Sequence, residues 1–330
     1  MSHDHLGQLY AIGTAFVWAF ALVFFKFSGE RIVPLALNLF KNSIGLALLA
    51  VTHLALWLAG YDRGLGELAD CSRKDIIILL VSGFIGIALA DTVFFRSLNL
   101  IGVGIVAIVD CLYSPSVIFF AAVMLGESMG GWQYLGAALI ISAVLSASRL
   151  RPPKDRTHAQ LVAGILLGAL SMLLMGFGIV LAKPVLAHVP LLWAVTLRMV
   201  AGTFSLVVIA AASRQRRLFF SPFRPSGIWR VAVPGSFFGA YVSLVLWVAG
   251  FKYTDASIAG VLNQTSTIFA ILAATLILKE HFDRRKLLAV TMAVAGVLLV
   301  SLAGPSPAGP DPPPSSAAPL GRSTPVAQAR

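Results

Sequence analysis

Residues 105–120 read IVAIVDCLYSPSVIFF, apolar enough to lie in hydrocarbon, yet with Asp110 near the middle and Pro115 one turn later. A carboxylate in the middle of a bilayer costs about 2.5–3.5 kcal/mol on insertion scales, and it faces a bundle interior or a wet cavity. Proline removes a backbone donor and disturbs the carbonyl four residues back, here that of Cys111. The stretch therefore reads as a membrane helix whose polar groups serve something inside a bundle.

The rest of the chain agrees about the solvent. Of its 330 residues 58% are hydrophobic and 12% charged, and the mean hydropathy is +0.87. An ordinary soluble domain is about 25% charged. Apolar runs near the ~20 residues that cross a bilayer recur at roughly 6–27, 33–59, 75–95, 101–125, 130–149, 161–182, 190–213, 229–250, 257–278 and 286–303. The expected class is all-α integral membrane with ten spans joined by short loops.

The net charge of +11 does not point to nucleic acid, because the basic residues are spread over span ends without a recognition motif. The loops SRLRPPKDR (148–156) and SRQRRLFFSPFRPSGIWR (213–230) suit an anionic leaflet. Two cysteines form neither a disulfide framework nor a metal spacing, and no metal, nucleotide loop or other cofactor is indicated. MSHDHLGQ lacks the basic start of a secretory signal, so the first run is expected to stay as a span. Residues 304–330, rich in Pro, Ala and Ser, are expected to be a disordered tail.

The chain reads twice. A shift of 157 places Lys26 on Lys183, Lys41 on Arg198, Gly7 on Gly164 and Gly45 on Gly202. A shift of 153 places Phe84 on Phe237, Gly86 on Gly239 and Glu127 on Glu280. Two units are expected, 1–150 and 151–303, each of five spans. An odd number of crossings inserts the second unit upside down, and such inverted repeats build one central site that opens to either side.

On GTAFVWAFALVFFK (13–26), VIFFAAVMLGESMGGWQYLGAALIISAVL (117–145) and STIFAILAATLILKEHFDRRKLLAVTMAVAGVLLV (266–300), residues 6–303 resemble an EamA-type drug/metabolite transporter. The resemblance implies a ten-helix secondary transporter, usually an exporter in a bacterial inner membrane. It also implies a cavity lined by spans one to four and six to nine, with five and ten peripheral.

The polar residues inside the spans supply the candidates. Asp110 shares a helical face with Tyr113 and Ser114, and the mirrored stripe is Asn263, Ser266 and Thr267, beside Gln264. Span two presents Asn38, Lys41 and Asn42 on one face, and Arg198 is the mirrored cation. Lys41 and Arg198 read either as snorkelling side chains or as cavity cations that attract an anionic group such as the carboxylate of an amino acid or hold Asp110 ionised. Lys26 and Lys183, at span ends, read as interfacial anchors. Asp91, mirrored by Leu244, reads as a second acid, either of the site or paired structurally with Arg96. Trp18, Phe94, Tyr113, Tyr241 and Trp247 are candidate cavity aromatics. The pairs Gly7/Ala11, Gly164/Gly168, Ser82/Gly86 and Gly235/Gly239 are candidate close-packing notches.

These residues fit a secondary transporter of a small metabolite such as an amino acid, working by alternating access. A membrane-embedded lipid-modifying enzyme or a non-transporting scaffold is the alternative; the enzyme needs a convergent nucleophile, base or metal set that the sequence does not display, and a scaffold has little reason to keep charges in both halves. The bilayer and a small-molecule substrate are the expected partners, with protons and a second copy of the chain left open. Orientation is contested. About 16 Lys and Arg follow the odd spans against about 7 on the other side, which favours both termini outside, whereas the resemblance favours them inside.

Overall fold

The computed structural model describes residues 3–60, 68, 71–127, 131–147, 150, 153, 156–279 and 284–302. The tail beyond 302 and Glu280 lie outside these residues. Among them the secondary structure is helical throughout.

Local chemistry sets the helix starts. Span one is His3–Gly29 and span two Pro34–Leu58, which begins with proline in its first turn; a missing N–H costs nothing there. Span three begins at Arg73, where Ser72 accepts from the Asp75 amide. Span five is Gly131–Ala147. Span six, His158–Leu186, opens with a reciprocal cap between Thr157 and Gln160. Span seven is Leu191–Ala212 and span ten Arg284–Leu302.

Spans three and eight share a device that the sequence did not announce. Each contains a π-helical stretch, Phe84–Ala90 in one and Phe237–Val242 in the other, and the two start at mirrored residues. Around them span three runs from Arg73–Gly83 into the helix Asp91–Asp110, and span eight from Trp229–Ser236 into Ser243–Tyr253. π turns are rare and collect at functional sites.

Span three is longer than expected. Helix continues through 96–100, and the chain reverses at Gly102, whose φ of 75° lies in the left-handed region. Span four therefore starts immediately after that glycine and continues as Tyr113–Leu125, with a two-residue break at Cys111–Leu112. Span nine is Ala256–Asn263 and Ser266–Leu276, broken at the mirrored pair Gln264–Thr265. Because the residue mirrored to Pro115 is Ile268, proline does not account for the break. The fold imposes it twice.

The repeats interlock. Span one packs along span eight and both halves of nine, while span six packs in the same way on three and four. Span two lies against seven, and five pairs with ten at the edge of the bundle. The small residues allow these approaches. A Cβ on Gly7 would meet the Tyr253–Thr254 backbone, one on Gly164 would meet Ile101, and one on Gly83 would meet the Arg198 backbone. Burial is inverted relative to a soluble protein: Phe16, Leu145, Leu166 and Phe204 face outward, whereas Asn38, Lys41, Asn42 and Arg198 are buried. With lipid as the outer solvent, polar groups have to find their partners inside. The protein is an integral membrane protein of ten transmembrane helices in two inverted five-helix repeats.

Candidate functional site

A cavity of about 100 Å³ lies where the repeats meet, and every span except five and ten contributes to its wall. Mirrored residues line it in pairs: Lys41 and Arg198, Asp91 and Leu244, Phe94 and Trp247, and Asp110 and Asn263. It therefore sits on the axis that relates the halves.

The sequence candidates Trp18, Lys41, Asp91, Asp110, Tyr113, Arg198, Asn263 and Gln264 all line the cavity. Asn38 and Tyr241 do not. Asn38 stands behind Lys41, where its amide donates to the Ile87 carbonyl at 2.8 Å and to Thr92 Oγ1 at 2.9 Å. Tyr241 turns away and bonds Thr52 Oγ1 at 2.6 Å. Both lie on the expected helices, but a helical face is too broad a criterion to say which of its residues reaches the axis.

Lys41 is 3% exposed and Arg198 1%, which overturns the snorkelling reading for both. Their surroundings differ. Lys41 Nζ donates to Asp91 Oδ2 at 2.7 Å and to Asn42 Oδ1 at 3.1 Å. Asn42 in turn donates to Asn38 Oδ1 at 2.8 Å. The partner of Asp91 is thus Lys41 and not Arg96, which is exposed. The partner of Lys41 is Asp91, so this lysine does not hold Asp110. The network closes on itself and takes in the π turn of span three, whose Ala90 carbonyl accepts from Ser171 at 2.8 Å.

Arg198 has no ion-pair partner among the described residues. Its Nη1 donates to Ser82 Oγ and, at 3.3 Å, to the Gly178 carbonyl, while Ser82 Oγ itself donates to that same carbonyl. The guanidinium lies over the Trp247 ring at 5.4 Å. Nε and Nη2 are buried without a partner, as are Asn263 Nδ2 and Oδ1 and Gln264 Oε1. Unsatisfied buried polar atoms are uncommon, and each costs about 1–3 kcal/mol. Asp110, half-buried at the break in span four, has no ion-pair partner among the described residues.

Ser82 was missed as a site residue because a serine four places before a glycine reads as a packing notch. Nothing in the sequence says that its hydroxyl meets a guanidinium from the other repeat.

Lys183 is also corrected. It donates to the Phe251 carbonyl at 2.5 Å and to Thr254 at 2.6 Å, at the end of span eight. Lys252 reciprocates on Leu186 at 2.6 Å and Val189 at 2.8 Å, at the end of span six. These lysines cap each other's helices, where the carbonyls are unpaired and the dipole is negative. On the same side Ser257 Oγ donates to Glu127, and His188 Nε2 lies 3.1 Å from Asp75 Oδ2.

A crystal structure described simply as that of a protein superposes on 90% of this chain and 96% of its own, with a TM-score of 0.65 and 18% identity, a likeness of fold alone. A search of curated proteins returns no match. The model of the EamA-like transporter family matches twice, over residues 5–149 and 162–302. The two matches fall on the two halves that meet at the cavity, and the chain belongs to the EamA-like transporter family, within the drug/metabolite transporter superfamily.

Proposed function

We propose that this protein is a secondary active transporter of the bacterial inner membrane, an exporter of a small metabolite such as an amino acid or a related compound. The observation that carries the reading is the set of buried, unpartnered polar atoms on Arg198, Asn263 and Gln264, gathered around one cavity on the axis between the repeats. Such atoms are expensive unless a ligand completes them.

In this reading Arg198 draws the anionic group of the substrate, and Asn263 and Gln264 satisfy its neutral polar atoms. Asp110, across the same cavity, receives a proton or an ammonium group. Trp18, Phe94 and Trp247 form the apolar part of the wall. Alternating access follows from the interlocked repeats, since each half offers the same broken helix and the same π turn to the other. At one end the Ser257–Glu127 contact bridges the halves and opens when they rock, and export runs on proton exchange or on the substrate gradient.

The test is uptake into proteoliposomes preloaded with unlabelled amino acids. The expected result is accumulation of a labelled amino acid, chemically unchanged, that stops in Arg198→Gln. Conversion of the label to another compound, or its exclusion by the parental protein across the whole amino-acid set, sinks the proposal.

A further inference from the structure

The geometry points to one ligand group on Arg198: a single carboxylate, held side-on by Nε and Nη2, with Ser82 of the opposite repeat positioning the guanidinium for it. The inference rests on the transporter reading only in taking the cavity as the substrate site.

The argument begins with which donors are occupied. A guanidinium is planar and carries five N–H donors in a fixed fork. On Arg198 the occupied nitrogen is Nη1, fixed by Ser82 Oγ and the Gly178 carbonyl. The two open nitrogens, Nε and Nη2, share one edge of the plane and direct two nearly parallel N–H bonds the same way. That edge matches the two oxygens of a carboxylate in a bidentate pair. Gly86 stands beside Nη2, where a Cβ would come within 3.4 Å of that nitrogen, and because both nitrogens are buried in this structure the carboxylate enters as the neighbouring wall gives way.

Charge selects further. Lys41 is already neutralised by Asp91, so Arg198 is the cation of the cavity wall without an acid partner among the described residues. Asp110 contributes a carboxylate of its own to the same wall. With Asp110 ionised the wall is already neutral, so a carboxylate is balanced when Asp110 is protonated or faces an ammonium group of the same ligand, whereas a doubly charged phosphate leaves an excess negative charge in either state. The position that supplies the acid in the first repeat, Asp91, is Leu244 in the second. The ligand's carboxylate occupies the role that Asp91 plays for Lys41.

Ser82 acts through Arg198 and is a positioning residue. Its hydroxyl proton goes to the Gly178 carbonyl, which leaves a lone pair for Nη1. The contact joins spans three, six and seven, so the guanidinium is aimed by both repeats at once. The residue mirrored to Ser82 is Gly235, and nothing equivalent is built around Lys41.

The experiment measures binding by tryptophan fluorescence of the purified full chain, with Trp247 under the guanidinium as reporter. The probes are hexanoate, benzoate and L-leucine, each against its primary amide. The expected result is saturable binding of at least one acid, about tenfold or more tighter than its amide, the scale of one charge-assisted contact. Arg198→Lys keeps the charge but not the fork, and it should lose that preference. Ser82→Ala should lower the acid-to-amide ratio several-fold, and Ser82→Thr should restore it, a readout that loosened packing alone would leave unchanged. Equal binding of acids and amides by the parental protein, no binding of any probe, or an unaltered preference in Arg198→Lys overturns the inference. An acid that binds with the expected preference but is not carried across proteoliposomes overturns the transporter reading and leaves this one standing. An acid carried equally well by Arg198→Lys does the reverse.

Discussion

Lys41 and Arg198 occupy mirrored places in two copies of one five-helix unit, and the structure treats them in opposite ways. The first-repeat cation is closed off by Asp91, Asn42 and Asn38, a network that also secures the π turn of span three. The second-repeat cation is tied at one nitrogen and left open at two. A symmetric pair of such networks would leave the cavity electrically silent. Three differences in the network break the symmetry, Asp91 against Leu244, Asn38 against Val195 and Asn42 against Met199. One half has become framework and the other has kept its valences free, and in the proposed reading that gives the cavity a fixed polarity toward a substrate.

The largest expected effect comes from making the first half like the second. Asp91→Leu strands Lys41 as a buried, uncompensated cation, and breaking such a pair costs about 3–5 kcal/mol. Thermal unfolding in detergent should show it as a large loss of stability. Lys41→Met together with Asp91→Leu should recover most of it, because replacing both members of a buried pair is often near neutral. A single variant as stable as the parent would mean that the pair is not the framework claimed.

The converse change fills the second half. Leu244→Asp places an acid where, by symmetry, it reaches Arg198, as Asp91 reaches Lys41. Internal pairing then competes with the ligand, and affinity for a carboxylate should fall about 10–100-fold, the worth of a charged hydrogen bond. The protein should remain folded, since the new acid has a partner. Retained affinity would show that Leu244 is not equivalent to Asp91.

Asp110 and Asn263 form the other unequal pair. Asp110→Asn makes the two stripes alike, and it should leave insertion and yield near parental while lowering transport about tenfold, again one charged contact. If Asp110 carries the coupling proton, the variant's remaining transport should also lose its pH dependence between about pH 6 and about pH 8. Parental rates across that range would make Asp110 structural.

How much of this was legible depends on whether a feature is written in residue identity or in distance between spans. The membrane, the ten crossings and the doubled chain could be read because charged residues are rare in apolar runs, so a matched Lys41 and Arg198 stand out. The family resemblance supplied the same architecture independently. The Lys41–Asp91 bond was not legible, because the residues lie on different spans and Arg96 stood nearer to Asp91 in sequence. The π turns were invisible for another reason: FIGIALA and FFGAYV differ little in composition from the helix around them. Gly102 was hidden by its neighbours, being one of two glycines in an apolar run, and only its positive φ shows that the helix ends there. Ser82 carried two meanings, packing and hydrogen bonding, and the sequence signal favoured the wrong one.

The span ends offer a milder test. Lys183 and Lys252 each satisfy two carbonyls at one end of the bundle, while the residue mirrored to Lys252 is Asn99. Lys183→Met and Lys252→Met should each lower stability by about 1 kcal/mol, a normal net value for such caps. Labelling of cysteines placed on that side should increase if the caps keep it closed. Unchanged labelling in both variants would reduce the lysines to local caps.

The smallest expected effect concerns Pro115, whose place beside Asp110 first suggested that proline opens the helix. Span nine breaks at Gln264–Thr265 with Ile268 in the mirrored position, so the same geometry arises with a residue that keeps its N–H. The cause has to be shared by both halves, and what they share is the crossing of spans four and nine against one and six. A proline in an established helix interior costs about 3 kcal/mol or more, but here the break has already removed the helix bond that proline would deny. The next amide, that of Ser116, still reaches the Leu112 carbonyl at 3.0 Å. Pro115→Ala should therefore change stability by less than about 1 kcal/mol, the size of an ordinary proline effect on the unfolded chain. It should also leave transport and carboxylate affinity at parental values. If instead the substitution heals the helix and abolishes binding, proline shapes the first half and tertiary packing the second, and the two broken helices are alike only in appearance.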